Sequence, residues 1–211
     1  MNRRISPAAW LLPLLGAVAA GIMVAVPYNY AGFYPLTWVA FVPVLLAVHG
    51  RGYRAHYLLG LAAGLAMYLV ATPWMAEFLQ RLKDYPLAPS LAGATLFWLL
   101  TSQLPALLMV SYLWLQRRLD HHALWAFPIL LMLFYGWFPV LFPLQLGESQ
   151  SAFLPAIQGV SLTGVYGLDA MIGVSNALVA AAILLRLGRE PALGSRGSAL
   201  TASAGDRKSV V

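Results

Sequence analysis

The chain alternates between long uncharged apolar stretches and short clusters that hold nearly all of its charge. No Asp, Glu, Lys or Arg occurs between Arg4 and Arg51, from Tyr85 to Gln116, or from His121 to Gly147. Six apolar segments can be drawn: Ala8 to Val26, Phe33 to Val48, Tyr57 to Met75, Ser90 to Leu115, Ala123 to Phe142, and Val165 to Leu185. The uncharged stretches exceed the ~20 apolar residues that a bilayer crossing needs. They are rich in Leu, Ala and Val without strand-like alternation. A backbone in lipid must satisfy its own hydrogen bonds, so the pattern predicts helices throughout. The expected fold is all-α, a polytopic integral membrane protein of about six transmembrane helices.

Arg3 and Arg4 ahead of the first segment also match the start of a cleavable signal peptide. Its apolar stretch is longer than a usual signal core and further spans follow, so this helix is expected to be retained. The connections then set the orientation, because positive residues stay on the cytoplasmic side. With the N-terminus inside, inner connections hold Arg3, Arg4, Arg51, Arg54, Arg117, Arg118, Arg186, Arg189, Arg196, Arg207 and Lys208, against Arg81 and Lys83 outside. The expectation is N-in, C-in, in a bacterial cytoplasmic (inner) membrane. On the outer side, Pro27 to Gly32 is a short turn, Glu77 to Pro89 is a hydrated loop of nearly cancelling charge, and Pro143 to Gly164 is a long connection able to lie in the interface or re-enter.

Composition sharpens this picture. Hydrophobic residues make up 61% of the chain and charged residues 9%, against roughly 25% charged in a soluble domain. The net charge of +6 comes from basic residues scattered singly or in pairs, so no nucleic-acid partner is expected. The 211 residues contain no cysteine, which excludes disulfides, thiolate metal sites and thiol nucleophiles within them. No nucleotide-binding glycine motif, metal-ligand cluster or nucleophile and base pattern is present. No cofactor or metal is expected.

Few polar residues remain as candidates for chemistry. Asp169 lies just inside the sixth segment, where a carboxylate at membrane depth is a functional candidate or a hydrogen-bond acceptor near the outer boundary. Glu148, in Leu146-Gly147-Glu148-Ser149-Gln150, is the only charge in the long outer connection; it reads either as a ligand for a headgroup or amine, or as a solvated acid. Asn176 and Gln103 read as interhelical hydrogen-bond partners, and Gly60-Leu61-Ala62-Ala63-Gly64 as a close-packing helix face. His121 and His122, beside Arg117, Arg118 and Asp120, suggest contact with anionic lipid rather than a metal site.

Several strings, taken in order, resemble the N-terminal membrane domain of apolipoprotein N-acyltransferases. They are Pro27, Gly32-Phe33-Tyr34-Pro35-Leu36, Trp38-Val39-Ala40, Pro43-Val44-Leu45-Leu46, Leu59-Gly60 with Gly64-Leu65, Trp74, and Gly147 with Ser149-Gln150. Gln158, Gly164-Val165-Tyr166-Gly167-Leu168 and Asn176-Ala177-Leu178 complete the series. That family tends to carry a Glu-Trp with a nearby Arg where this chain reads Leu133-Phe134-Tyr135-Gly136-Trp137, and an aromatic where Glu148 stands. The resemblance implies transfer of an acyl chain from a phospholipid donor, through a cysteine thioester, to the N-terminal cysteine of a diacylated lipoprotein. It implies that the cysteine, with its glutamate and lysine partners, lies in a nitrilase-like domain after the segment matched here. Candidates to face lipid or substrate are then Trp74, Glu148, Gln150, Tyr166 and Asp169.

This reading divides the chain into a six-helix membrane domain over 1–187, a polar tail over 188–205 and a final stretch, 206–211. The tail is expected to be disordered from its composition. The last six residues, Asp206 to Val211, reverse-translate into the start of a common sequencing adapter whose next triplet is a stop, so the natural gene is expected to continue. The chain is thus expected to be a fragment, inactive alone. The alternative is a complete non-enzymatic scaffold or a small transporter.

Overall fold

The computed structural model describes residues 8–119 and 123–189. Arg3, Arg4, Asp120, His121, His122, most of the polar tail and the final six residues lie outside the described residues. Every element among the described residues is helical. These are α1 (Ala8–Asn29), a 3-10 helix (Ala31–Trp38), α2 (Val42–Val48), α3 (Tyr53–Ala71), α4 (Met75–Lys83), α5 (Leu87–Thr101), α6 (Gln103–Leu119), α7 (Ala123–Trp137), a 3-10 turn (Leu146–Gln150) and α8 (Leu154–Arg186).

The helices close a ring. α1 packs on α3, α3 on α6, α6 on α7, α7 on α8, α8 on α2, and α2 back on α1. Inside it Phe41, Met67, Leu108, Phe127, Leu131 and Ile172 are buried, while Leu11, Leu12, Leu99, Leu162 and Leu185 point outward. Apolar residues on both surfaces suit a bundle solvated by lipid. Five stretches are long and apolar enough to cross a membrane: Ala9–Asn29, Ala31–Val48, Tyr53–Ala71, Leu87–Leu119 and Leu154–Arg186. A shorter apolar helix, Trp125–Trp137, accompanies them. The fold is therefore the expected all-α polytopic membrane architecture.

The close faces are where the small residues are. A Cβ on Gly60 would lie 2.7 Å from the Pro105 carbonyl, and one on Gly64 would lie 2.9 Å from Ser102 Cα, so α3 meets the α5–α6 junction at backbone distance. The small-residue face thus serves packing within the chain. Gln103 also bridges helices, accepting from the Tyr57 hydroxyl at 2.8 Å.

Four expected elements differ in detail, the first being the sixth segment, because α8 begins at Leu154, inside the connection expected over Pro143 to Gly164. The segment Phe33 to Val48 is not one helix: it breaks at 39–41 between the 3-10 helix and α2, with Pro35 and Pro43 beside the break removing backbone donors. The segment Ser90 to Leu115 divides at Ser102, where Ser102 and Thr101 hydroxyls bond back to the Trp98 and Phe97 carbonyls and Pro105 supplies no N–H. The hydrated loop contains a helix, α4, whose Met75 and Leu79 pack with Ala94 and Phe97 of α5, while Glu77 and Arg81 pair on its exposed side.

The bundle has two distinct ends. Arg51, Arg54, Arg117 and Arg186 gather at one, where Arg51 lies over Trp10 and Arg117 over Tyr53. At the other end Asn29 donates to the Val70 carbonyl, Tyr28 donates to the Gln145 carbonyl, and Trp74 meets Phe142.

Candidate functional site

The end opposite the arginines holds a buried polar network inside an otherwise apolar bundle. Its root is the break at 39–41. A break in a helix at membrane depth leaves backbone groups without intrahelical partners, and nothing in lipid can supply them. Asn176, fully buried on α8, supplies both: its Oδ1 accepts from Phe41 N–H at 2.7 Å and its Nδ2 donates to the Thr37 carbonyl at 3.0 Å. Ser175 adds a hydrogen bond to the Trp38 carbonyl at 2.9 Å.

The 3-10 helix so fixed then holds the outer turn. The Trp38 indole donates to Gln150 Oε1 at 2.8 Å, and Gln150 Nε2 donates to the Tyr34 carbonyl at 3.1 Å. The Ser149 hydroxyl donates to the Leu146 carbonyl at 2.6 Å and lies 3.0 Å from the Thr37 hydroxyl. Tyr34 stacks on Phe153 with centroids 5.1 Å apart, securing the chain that leaves the turn.

From the other side Asp169 Oδ1 accepts the Gly147 N–H at 2.7 Å. Gly147 has no room for a side chain, because a Cβ there would lie 2.6 Å from Val165 Cγ2. The second oxygen of Asp169 and the hydroxyl of Tyr68 are buried without a hydrogen-bond partner among the described residues. The Tyr135 hydroxyl approaches Met67 Sδ at 3.4 Å.

Of the five residues singled out in the sequence, the structure brings Glu148, Gln150 and Asp169 to this turn. Gln150 and Asp169 are wholly buried, whereas Glu148 is exposed. Tyr166, 40% exposed, lies against α7 at Gly136, where a Cβ would come within 2.7 Å of its ring. Trp74 is apart from the turn, at the head of α4, edge-on to Phe78 and Phe142 with centroids 5.8 and 5.7 Å away.

Sequence reasoning missed Thr37, Ser149 and Ser175 as members of the network. Their signal was weak, a single hydroxyl residue in each apolar or turn string.

Next to Trp74 lies a groove with mostly apolar walls. α5 packs on α3, α4 and α6, and between it and the strand of chain following α7 opens a space of about 300 Å³. Gly93, Leu96, Phe97 and Leu100 line one wall and Pro139, Val140 and Leu141 the other. Phe97 also touches Phe142 edge-on at 6.0 Å, so the groove runs directly into the aromatic cluster around Trp74. Its apolar walls and size fall in the range of small-molecule and lipid-chain sites.

Comparison with known proteins agrees with the residue pattern. Residues 20–178 match the model of the apolipoprotein N-acyltransferase N-terminal domain. The chain is 34% identical over 185 residues to the apolipoprotein N-acyltransferase of Geobacter metallireducens, an alignment covering 84% of this chain and 35% of that protein. The chain thus spans about a third of the length of the curated relative it matches. No solved structure matches it. The chain belongs to the apolipoprotein N-acyltransferase family, to the N-terminal part of its proteins.

Proposed function

We propose that these residues form the membrane platform of an N-acyltransferase that moves an acyl chain from phospholipid to the N-terminal cysteine of a diacylated lipoprotein. The observation that carries the reading is the apolar groove between α5 and 139–141, open to the side and continuous with the ring of Trp74, Phe78, Phe97 and Phe142. A groove of this kind admits an acyl chain laterally from the bilayer without exposing it to water. Asp169, Asn176 and Gln150 hold the neighbouring turn in one position, and Glu148 projects from that turn. In this reading the bundle makes six crossings, N-in and C-in, in the bacterial cytoplasmic membrane. The groove and turn then face the periplasm and the arginine end faces the cytoplasm.

A thioester route requires a thiol, and the 211 residues supply none. The platform's part is to bind and orient, and these residues alone are expected to transfer no acyl group. Lateral admission is tested by reconstituting the chain with a phospholipid bearing a photoreactive group in its acyl chain. Crosslinks are expected at Leu96, Leu100 or Val140, and filling the groove with L100W should suppress them. Crosslinks spread evenly over the outer Leu residues of α1 and α8, unchanged by L100W, would contradict the reading.

A further inference from the structure

The arginine end carries its own construction. Arg51 lies over the Trp10 ring at 5.3 Å, Arg117 over Tyr53 at 4.6 Å and Arg118 over Trp114 at 5.0 Å. Stacking on an aromatic face fixes a guanidinium without using its N–H donors, although Arg51 also donates one to the Ala9 carbonyl at 3.5 Å. Arg54 stands exposed beside them on the first turn of α3. Between α3 and α6, at this level, runs a groove of about 400 Å³ lined by Tyr53, Arg54, Tyr57, Leu58 and Val110.

The groove therefore has two chemistries along its length. Its mouth is cationic and aromatic, with Arg54 in the wall and Arg117 held over the Tyr53 ring. Its floor is hydrocarbon, formed by Leu58 and Val110, and Trp114 follows one turn after Val110 on α6; Leu58 and Trp114 are both about half exposed. The acidic residues among those described are elsewhere: Glu77 and Asp84 at α4, Glu148 on the outer turn, and Asp169 against Gly147. A neutral apolar chain would need no arginines, and a free phosphate would need no hydrocarbon floor.

We propose that this groove binds an anionic phospholipid, with its phosphate between Arg54 and Arg117 and one acyl chain along Leu58 and Val110. Paired N–H donors of arginine match phosphate oxygens, and basic pockets between helices near a membrane surface recognise anionic headgroups. The site lies at the opposite end of the bundle from the Trp74 groove, so it stands or falls independently of acyl transfer. It gives the bundle a fixed lipid on the α3–α6 seam, the same pair of helices that meets at Gly60 and Gly64.

The test uses the full chain reconstituted in vesicles, with quenching of Trp114 fluorescence by lipids brominated in their acyl chains. W114F supplies the background from the other tryptophans. Brominated phosphatidylglycerol is expected to quench the Trp114 component at a several-fold lower mole fraction than brominated phosphatidylcholine. R54Q/R117Q should erase that difference, while R81Q, at the other end, should retain it. Equal quenching by the two lipids in the unaltered chain, or a difference that survives R54Q/R117Q, would overturn the proposal. So would loss of the difference on adding inorganic phosphate, which would identify a free anion as the ligand.

Discussion

Asn176 ties α8 to the break at 39–41. It bonds two backbone groups of a broken helix, Phe41 N–H and the Thr37 carbonyl, neither of which has water as an alternative. Side-chain hydrogen bonds between membrane helices average only ~0.6 kcal/mol, because partners are available in the unfolded state too. Leaving buried groups unsatisfied costs more, about 1–3 kcal/mol each. The second effect should dominate at the Phe41 N–H, while the Thr37 carbonyl still accepts from the Ala40 N–H at 3.4 Å, so N176A is expected to lose about 1–3 kcal/mol. Thermal unfolding in detergent, followed by circular dichroism, measures it; a loss within the ~0.6 kcal/mol average would mean that the break finds other partners.

Asp169 separates a structural role from a charged one. Its Oδ1 needs only to accept from Gly147, which an asparagine also does. D169N is therefore expected to fold with nearly unchanged stability, and D169L to lose about 1–3 kcal/mol by orphaning the Gly147 N–H. If D169N unfolds as readily as D169L, the negative charge itself is required and the hydrogen-bond account fails.

Gly164 sets the shape of α8. Its φ of 68° and ψ of 177° are non-helical within Leu154–Arg186, a region essentially restricted to glycine. The break separates residues 154–163, where Leu154 and Leu162 are exposed, from the membrane-depth stretch that carries Asp169 and Asn176. G164A is expected to cost about 1–3 kcal/mol or to straighten α8. In a spin-label pair across positions 157 and 170, straightening would lengthen the distance, whereas an unchanged distance and stability would show that the bend needs no glycine.

The spans were legible because long uncharged runs admit few other structures, and the small-residue face of α3 because Gly60 and Gly64 fall on one side of a helix. The break at 39–41 was not legible. Its partner, Asn176, lies 135 residues further along the chain, and sequence spacing carries no information about contacts at that range. The long outer connection was read as the place for function, and its turn does lie at the site. However, Gln150 and Asp169 look polar in sequence and are wholly buried in the fold, since a turn clasped between two helices has the same composition as one in water.

For the molecule as a whole, the account joins a closed ring of helices to a groove at one end and an arginine belt at the other. The ring gives rigidity, with α1, α3 and α6 meeting through glycine and alanine, and α4 and α5 stand on its flank where the groove opens. Such an arrangement suits a platform: the flank can accept a lipid chain while the pinned turn keeps its place. Its proposed role depends on chemistry that these residues do not contain, and so the whole is best tested by supplying that chemistry.

The most direct measurement replaces the matching N-terminal part of the Geobacter metallireducens relative with residues 8–187 of this chain and assays acyl transfer from phospholipid to a diacylated lipopeptide. The account predicts that the chimera transfers acyl groups, that residues 8–187 alone do not, and that L100W lowers transfer by the chimera. A chimera that inserts and folds yet is inactive beside an active relative would contradict the platform reading, as would acyl transfer by residues 8–187 alone.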